Sequence, residues 1–186
     1  MPEYQIPKTP SAYEFPLLIR HLLSRLSAQH TEQQIVYGDR RRFSYGDFFE
    51  RVQRLANGLR SLGIEPGDTV AVMDWDSHRY LECFFAVPMI GAVLHTINIR
   101  LAPEQILYTI NHARDTALLV HDDFVPLLEG FKDKTPTLKR TLRLSDQPSD
   151  VGDGSTQVEF DDEDEHLLSR ASVGVDAPDF DERTRA

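Results

Sequence analysis

Thr69-Val70-Ala71-Val72-Met73 follows the turn Gly63-Ile64-Glu65-Pro66-Gly67-Asp68. The run is nearly all apolar and lacks polar alternation, which predicts a strand buried on both faces, as in a parallel sheet. Parallel neighbours must be joined by crossovers, usually helices. The sequence on either side supplies them.

Upstream, apolar residues at Tyr45, Phe48, Phe49, Val52, Leu55, Ala56, Leu59 and Leu62 fall on one helical face, predicting a helix over 45–62. Ser44 suits its N-cap with Asp47 three residues on, and Gly63 suits its end. Downstream, Tyr80, Leu81, Phe84, Phe85, Val87 and Ile90 predict a helix over 77–91 kinked at Pro88. A strand over 92–97, a helix over 103–113 opened by Pro103 and a strand over 117–121 follow. Alternating helices and buried strands give the fold class α/β, a layered βαβ sheet with right-handed crossovers.

Farther out the pattern is looser. Leu17, Leu18, Leu22, Leu23 and Leu26 predict a helix near 15–29, and strands over 33–37 and 41–45 flank a hairpin loop at Gly38-Asp39-Arg40. Residues 138–144 alternate and read as an edge strand, and 163–171 as a short acidic helix. The chain divides into an α/β body over 1–145, a polar linker over 146–160, and an acidic helix and tail over 161–186.

The chain has 186 residues, 40% of them hydrophobic, enough for a folded core. Its net charge of −10 lies in the tail: 13 of 30 acidic but only 3 of 20 basic residues fall in 146–186. A neutral body with an acidic tail lacks the cations that neutralise nucleic-acid phosphates or anionic membranes. No apolar run reaches the ~18 residues of a membrane span. The N-terminus lacks the order of a signal peptide, and Cys83 is the only cysteine, excluding a disulfide framework; both favour the cytoplasm.

No self-contained catalytic motif is present. Val151-Gly152-Asp153-Gly154-Ser155-Thr156 is glycine-rich, yet Asp150 and Asp153 would repel a phosphate, so it reads as linker. His121-Asp122-Asp123 points to alternate faces and reads as a polar strand end, and no metal site is expected. Asp161-Asp162-Glu163-Asp164-Glu165 reads as a solvated helix start, Arg40-Arg41-Arg42 as a charged hairpin edge, and Cys83 as a small buried hydrophobe. His95 lies in a strand running into Asn98 and Arg100, and ligands of open α/β sheets gather beyond strand carboxyl ends. These three residues either contact a ligand or order the loop.

Gly63 to Val72, with the preceding helix opening Phe43-Ser44-Tyr45-Gly46-Asp47, resembles the adenylate-forming acyl-CoA synthetases. The stretch Phe84-Phe85-Ala86-Val87-Pro88-Met89-Ile90-Gly91-Ala92-Val93-Leu94-His95-Thr96-Ile97-Asn98-Ile99-Arg100-Leu101 is similar to their medium-chain fatty-acyl-CoA ligase branch. Glu104-Gln105-Ile106, Asn111-His112-Ala113 and Phe124 to Leu128 continue the likeness, and it resumes at Pro178 to Ala186. The resemblance implies an N-terminal portion of a fatty-acyl-CoA ligase, ending before the phosphate loop and the catalytic lysine. It implies no catalytic, cofactor-binding or metal residue here, with His95, Asn98 and Arg100 as substrate-channel candidates. ATP, Mg²⁺ and CoA are expected for the full-length enzyme. The expected partners are the remainder of the ligase chain, a second copy in a homodimer, and fatty acid with CoA. The alternative is a free-standing, non-catalytic acyl-binding or partner-binding module.

Overall fold

The computed structural model describes residues 10–11, 16–29, 31–131, 133–146, 156–177, 180 and 183. The glycine-bearing stretch over 151–155, most of the final tail and the side chain of Leu26 lie outside the described residues. Helix α1 (Arg20–Gln29) precedes a hairpin of β1 (Gln34–Tyr37) and β2 (Arg41–Ser44), paired antiparallel. Leu17 lies before α1 and is exposed, as is Leu22, so the predicted leucine stripe narrows to Leu23 among the fully buried positions.

Helix α2 (Tyr45–Ser61) begins where its cap is written. Ser44 Oγ accepts from the Asp47 amide at 3.1 Å, and Asp47 Oδ2 accepts from the Ser44 amide at 3.0 Å. This reciprocal pair satisfies N–H groups that a helix start leaves open. Then come β3 (Thr69–Met73), α3 (His78–Met89), β4 (Val93–Thr96), α4 (Pro103–Ala113) and β5 (Ala117–His121). A 3₁₀ turn over Asp122–Phe124 leads to α5 (Val125–Glu129), β6 (Arg140–Leu144), β7 (Asp162–Glu163) and α6 (Asp164–Arg170). Helix α3 ends at Met89, so Pro88 falls inside its last turn.

Five strands form one parallel sheet in the order β4-β3-β5-β6-β7. Side chains alternate between its faces, and both faces are covered. Val70, Val72, Leu119 and Leu142 pack with α2, α3 and α6, whereas Ala71, Met73, Leu118 and Val120 pack with Ile106 and Ile110 of α4 and Leu128 of α5. That double burial is why β3 and β5 read as continuous apolar runs. The connection through α3 moves one way on one face and that through α4 the other way on the other, which keeps both crossovers right-handed.

Three expectations are corrected or extended. Strand β6 is internal, because the two-residue β7 pairs along its outer side. The acidic run is not solvated: Asp162, Glu163 and Asp164 are all buried. Guanidiniums make that burial tolerable, since Arg79 Nε donates to Asp164 Oδ2 at 3.0 Å and Arg170 donates to Asp162. Arg40 and Arg41 are likewise more than hairpin-edge charges, pairing with Asp146 and Glu165.

Helix α6 lies across α2, where Gly58 lets Leu167 approach so closely that a Cβ at position 58 would stand 2.6 Å from Leu167 Cγ. The chain then crosses α2 as an irregular strap over 171–177, and the Phe180 ring covers Gly91.

Candidate functional site

Since all five strands run parallel, their carboxyl ends share one edge of the sheet. The direction of winding reverses between β3 and β5, and a crevice opens at such a reversal. Asp74 and Trp75 follow β3 there, and His121, Asp122 and Asp123 end β5. Asp146 arrives beyond β6, and Tyr37, Arg40 and Arg41 of the hairpin close the far side. Together Tyr37, Arg40, Arg41, Trp75, His121, Asp122, Asp123 and Asp146 line a cleft of about 690 Å³.

Each wall is tied down. Trp75 Nε1 donates to Asp123 Oδ2 at 2.7 Å, and its ring lies 5.0 Å from that of Phe124. Asp122 accepts from Arg143 and from Ser145 Oγ, and Asp146 accepts from Arg40 and Arg79. His121 Nδ1 accepts from the Asp123 amide at 3.2 Å, so in the neutral ring the proton sits on Nε2, 3.6 Å from Asp146 Oδ2. Asp74 accepts from the Trp75 amide at 2.7 Å and from Ser77 Oγ, and burial raises its carboxyl above the usual range despite these bonds.

Behind the cleft lies a buried ionic layer. Arg51 Nε donates to Glu82 at 2.6 Å and its Nη1 to Glu165 at 2.9 Å. Burial opposes the Arg51 charge, but the two carboxylates outweigh it and hold the guanidinium firmly protonated. Glu82 is raised by its own burial, against the pull of Arg51. His78 packs against Phe43 and Tyr37; burial, with Arg79, Arg51 and Arg41 nearby, depresses it to about 3, so it is neutral.

Chemically, the cleft offers donors from His121, Tyr37 and Arg40 and acceptors from Asp122, Asp123 and Asp146. Mixed charge of this kind suits groups bearing hydroxyls or amides better than a bare phosphate. Its lining includes no Ser, Thr or Cys, and its titratable groups are Tyr37, His121 and the three aspartates with Arg40 and Arg41. Among the described residues no group of three or more His, Cys, Asp or Glu converges to hold a metal ion.

The residues singled out from sequence are not brought together. His95 faces the α4 side of the sheet, where its Nδ1 lies 2.8 Å from Asp115 Oδ2. Asn98 and Arg100 are exposed in the loop after β4, and Asn98 Oδ1 accepts from the Arg100 amide at 3.0 Å. Sequence reasoning missed Trp75, Arg79 and Asp146. A signal existed for Arg79, because Arg79, Glu82, Cys83 and Ala86 share one buried face of α3.

A model of the AMP-binding enzyme family matches residues 23–182. The chain belongs to that family. The 3-methylmercaptopropionyl-CoA ligase of Ruegeria pomeroyi is 34% identical to this chain over 173 residues, covering 91% of it and 32% of the relative. The long-chain-fatty-acid–CoA ligase of Thermus thermophilus is 37% identical over 129 residues, 67% of this chain and 24% of the relative. The medium-chain-fatty-acid–CoA ligase of Ectopseudomonas oleovorans is 31% identical over 170 residues, 89% of this chain and 31% of the relative. The chain thus spans about a third or less of the length of these relatives.

Solved structures agree on the fold. An anthranilate CoA ligase in complex with anthranoyl-AMP superposes with a TM-score of 0.77 at 19% identity, over 89% of this chain and 30% of that one. A benzoate CoA ligase from Burkholderia xenovorans gives 0.67 at 20%, over 87% and 30%. The α/β class expected from the apolar strand run is therefore that of the AMP-binding enzymes.

Proposed function

We propose that this chain is the N-terminal part of an ATP-dependent fatty-acyl-CoA ligase of the medium-chain branch. The observation that carries the reading is identity of 34% across 91% of the chain with a protein named as an acyl-CoA ligase. In such a reaction a carboxylate oxygen attacks the α-phosphorus of ATP and pyrophosphate leaves. The CoA sulfur then attacks the acyl carbon and AMP leaves. Both transition states gather negative charge, which donors and cations must meet.

The residues described here suit a scaffolding share of that work. The doubly covered sheet gives a wall, and the cleft at its carboxyl edge is polar and lined by groups of both charges. Asn98 and Arg100, exposed after β4, and His95 at the sheet margin are the residues we assign to the wall of the acyl and CoA channel. ATP, Mg²⁺ and CoA belong to the reaction of the whole ligase, in the cytoplasm. The rest of the ligase and a second copy are the partners this reading calls for.

The test uses an antibody raised to residues 1–145. The native polypeptide is captured from its source cells, sized, and assayed for ATP–pyrophosphate exchange with octanoate. A band several-fold above 21.3 kDa with exchange well over a boiled control is expected, and the 186-residue chain alone should show none. A native band at 21.3 kDa without exchange overturns the reading.

A further inference from the structure

The strap over 171–177 is neither helix nor strand, yet α2 binds its backbone group by group. Arg54 Nη1 donates to the Ala171 carbonyl at 2.6 Å, and Asn57 Nδ2 to the carbonyls of Ser172 and Gly174 at 2.8 and 3.0 Å. The Gly174 amide donates to Gln53 Oε1 at 3.0 Å, which explains a glutamine on the buried face of α2. Val175 and Ala177 pack on the core, and three residues later the Phe180 ring covers Gly91. Position 91 has φ +81°, and a Cβ there would overlap the ring, so only glycine forms this seat. The seat itself is rigid. Gly67 N donates to the Gly91 carbonyl at 2.8 Å, and Val93 N to the Asp68 carbonyl at 2.7 Å, joining the turns that open β3 and β4.

We propose that Phe180, seated on Gly91, is a positioning residue that fixes the path of the polypeptide beyond the strap and hence where the catalytic segment of the ligase stands. This rests on the ligase reading above. Phe180 is thus the apolar contact that follows Val175 and Ala177 along the strap. Losing the seat frees the strap's end and lets the reacting groups drift. Misplacement by about 1 Å is enough to cost as much as ~100-fold in rate.

The experiment pairs hydrogen exchange with ATP–pyrophosphate exchange kinetics, both on the intact ligase, for Phe180→Ala, Phe180→Leu, Gly91→Ala and the double variant Gly91→Ala/Phe180→Ala. The Gly174 amide should exchange at least ~10-fold faster in Phe180→Ala while β3 and β5 stay protected, with Phe180→Leu close to wild type. Gly91→Ala should mimic Phe180→Ala, and the double variant should be no worse than Gly91→Ala. In the intact ligase, Phe180→Ala should lower kcat for ATP–pyrophosphate exchange at least ~10-fold with the carboxylate KM unchanged, and Phe180→Leu should restore most of it. Unchanged strap exchange in Phe180→Ala overturns the seat. Faster strap exchange with unchanged kcat overturns the positioning role. An intact wild-type protein without exchange activity sinks the ligase reading and the role together, whatever the strap does.

Discussion

Arg79 and Asp164 lie 85 residues apart in sequence and meet at 3.0 Å with side chains 2% and 4% exposed. The same guanidinium donates to Asp146 and to the Ser145 carbonyl, so one arginine ties α3 to the ends of β6 and β7. Its burial is tolerable only because every neighbour accepts.

Arg79→Met should therefore cost about 3–5 kcal/mol by leaving Asp164 buried without its cation. Adding Asp164→Leu should recover part of the loss, since an apolar pair carries no desolvation penalty. Urea unfolding of the single and double variants measures both. A single-variant loss under ~1 kcal/mol would mean that solvent reaches the pair.

His95 and Asp115 form a second buried contact with a different pH signature. Burial raises the Asp115 carboxyl, and the bond from His95 opposes the rise only partly. A raised folded pKa means that folding favours the protonated form, so this group's destabilising effect is present at neutral pH and fades as pH falls through the folded value. Asp115→Asn keeps an acceptor for His95 and removes the charge. It should match or exceed wild type in stability at pH 7, with the difference closing toward pH 4. His95→Ala should cost about 1–3 kcal/mol at pH 7, because the carboxylate is then buried unpaired. Melting curves across that range decide it.

Asp47 shifts the other way. The Ser44 amide and hydroxyl both hold its carboxylate charged, lowering its pKa. Its contribution is full above the ordinary carboxylate range and lost as pH falls through the lowered value. Ser44→Ala should cost about 1 kcal/mol. Asp47→Asn should destabilise at pH 7 but lose its effect in acid, as thermal melts at the two pH values would show.

Cys83 is fully buried, and its surroundings push the thiol well above the usual range. Ellman's reagent should label no thiol in the native chain and one per chain in denaturant. Rapid native labelling would mean that α3 opens.

Much of the architecture was legible because its causes are local. Strands β3 and β5 and helix α4 form over 69–73, 117–121 and 103–113, the ranges their patterns predict. Pro103 opens α4, and double burial leaves the strands without polar residues inside. The acidic run defeated the same logic, because five carboxylates in a row read as solvated unless Arg79 is known to meet Asp164 and Arg170 to meet Asp162. Helix α5 escaped notice for a related reason: Val125-Pro126-Leu127-Leu128 is too short to show a period. The polar cleft gathers residues from four separate stretches between Tyr37 and Asp146: parallel winding brings three of them to one edge, and the antiparallel hairpin closes the far side. Cys83 did read correctly as a buried hydrophobe, since an apolar helix face is a local pattern.

The indole bonded to Asp123 is also the only tryptophan in the chain. At 43% exposure, every photon it emits comes from the rim of the cleft at the sheet's winding reversal. The molecule is thus labelled at one informative place without modification. A solute that enters should change the emission maximum or its quenching by iodide, and an occupant elsewhere should leave both alone. Titrating candidate ligands against that single fluorophore turns the cleft from a geometric description into a spectroscopic assay.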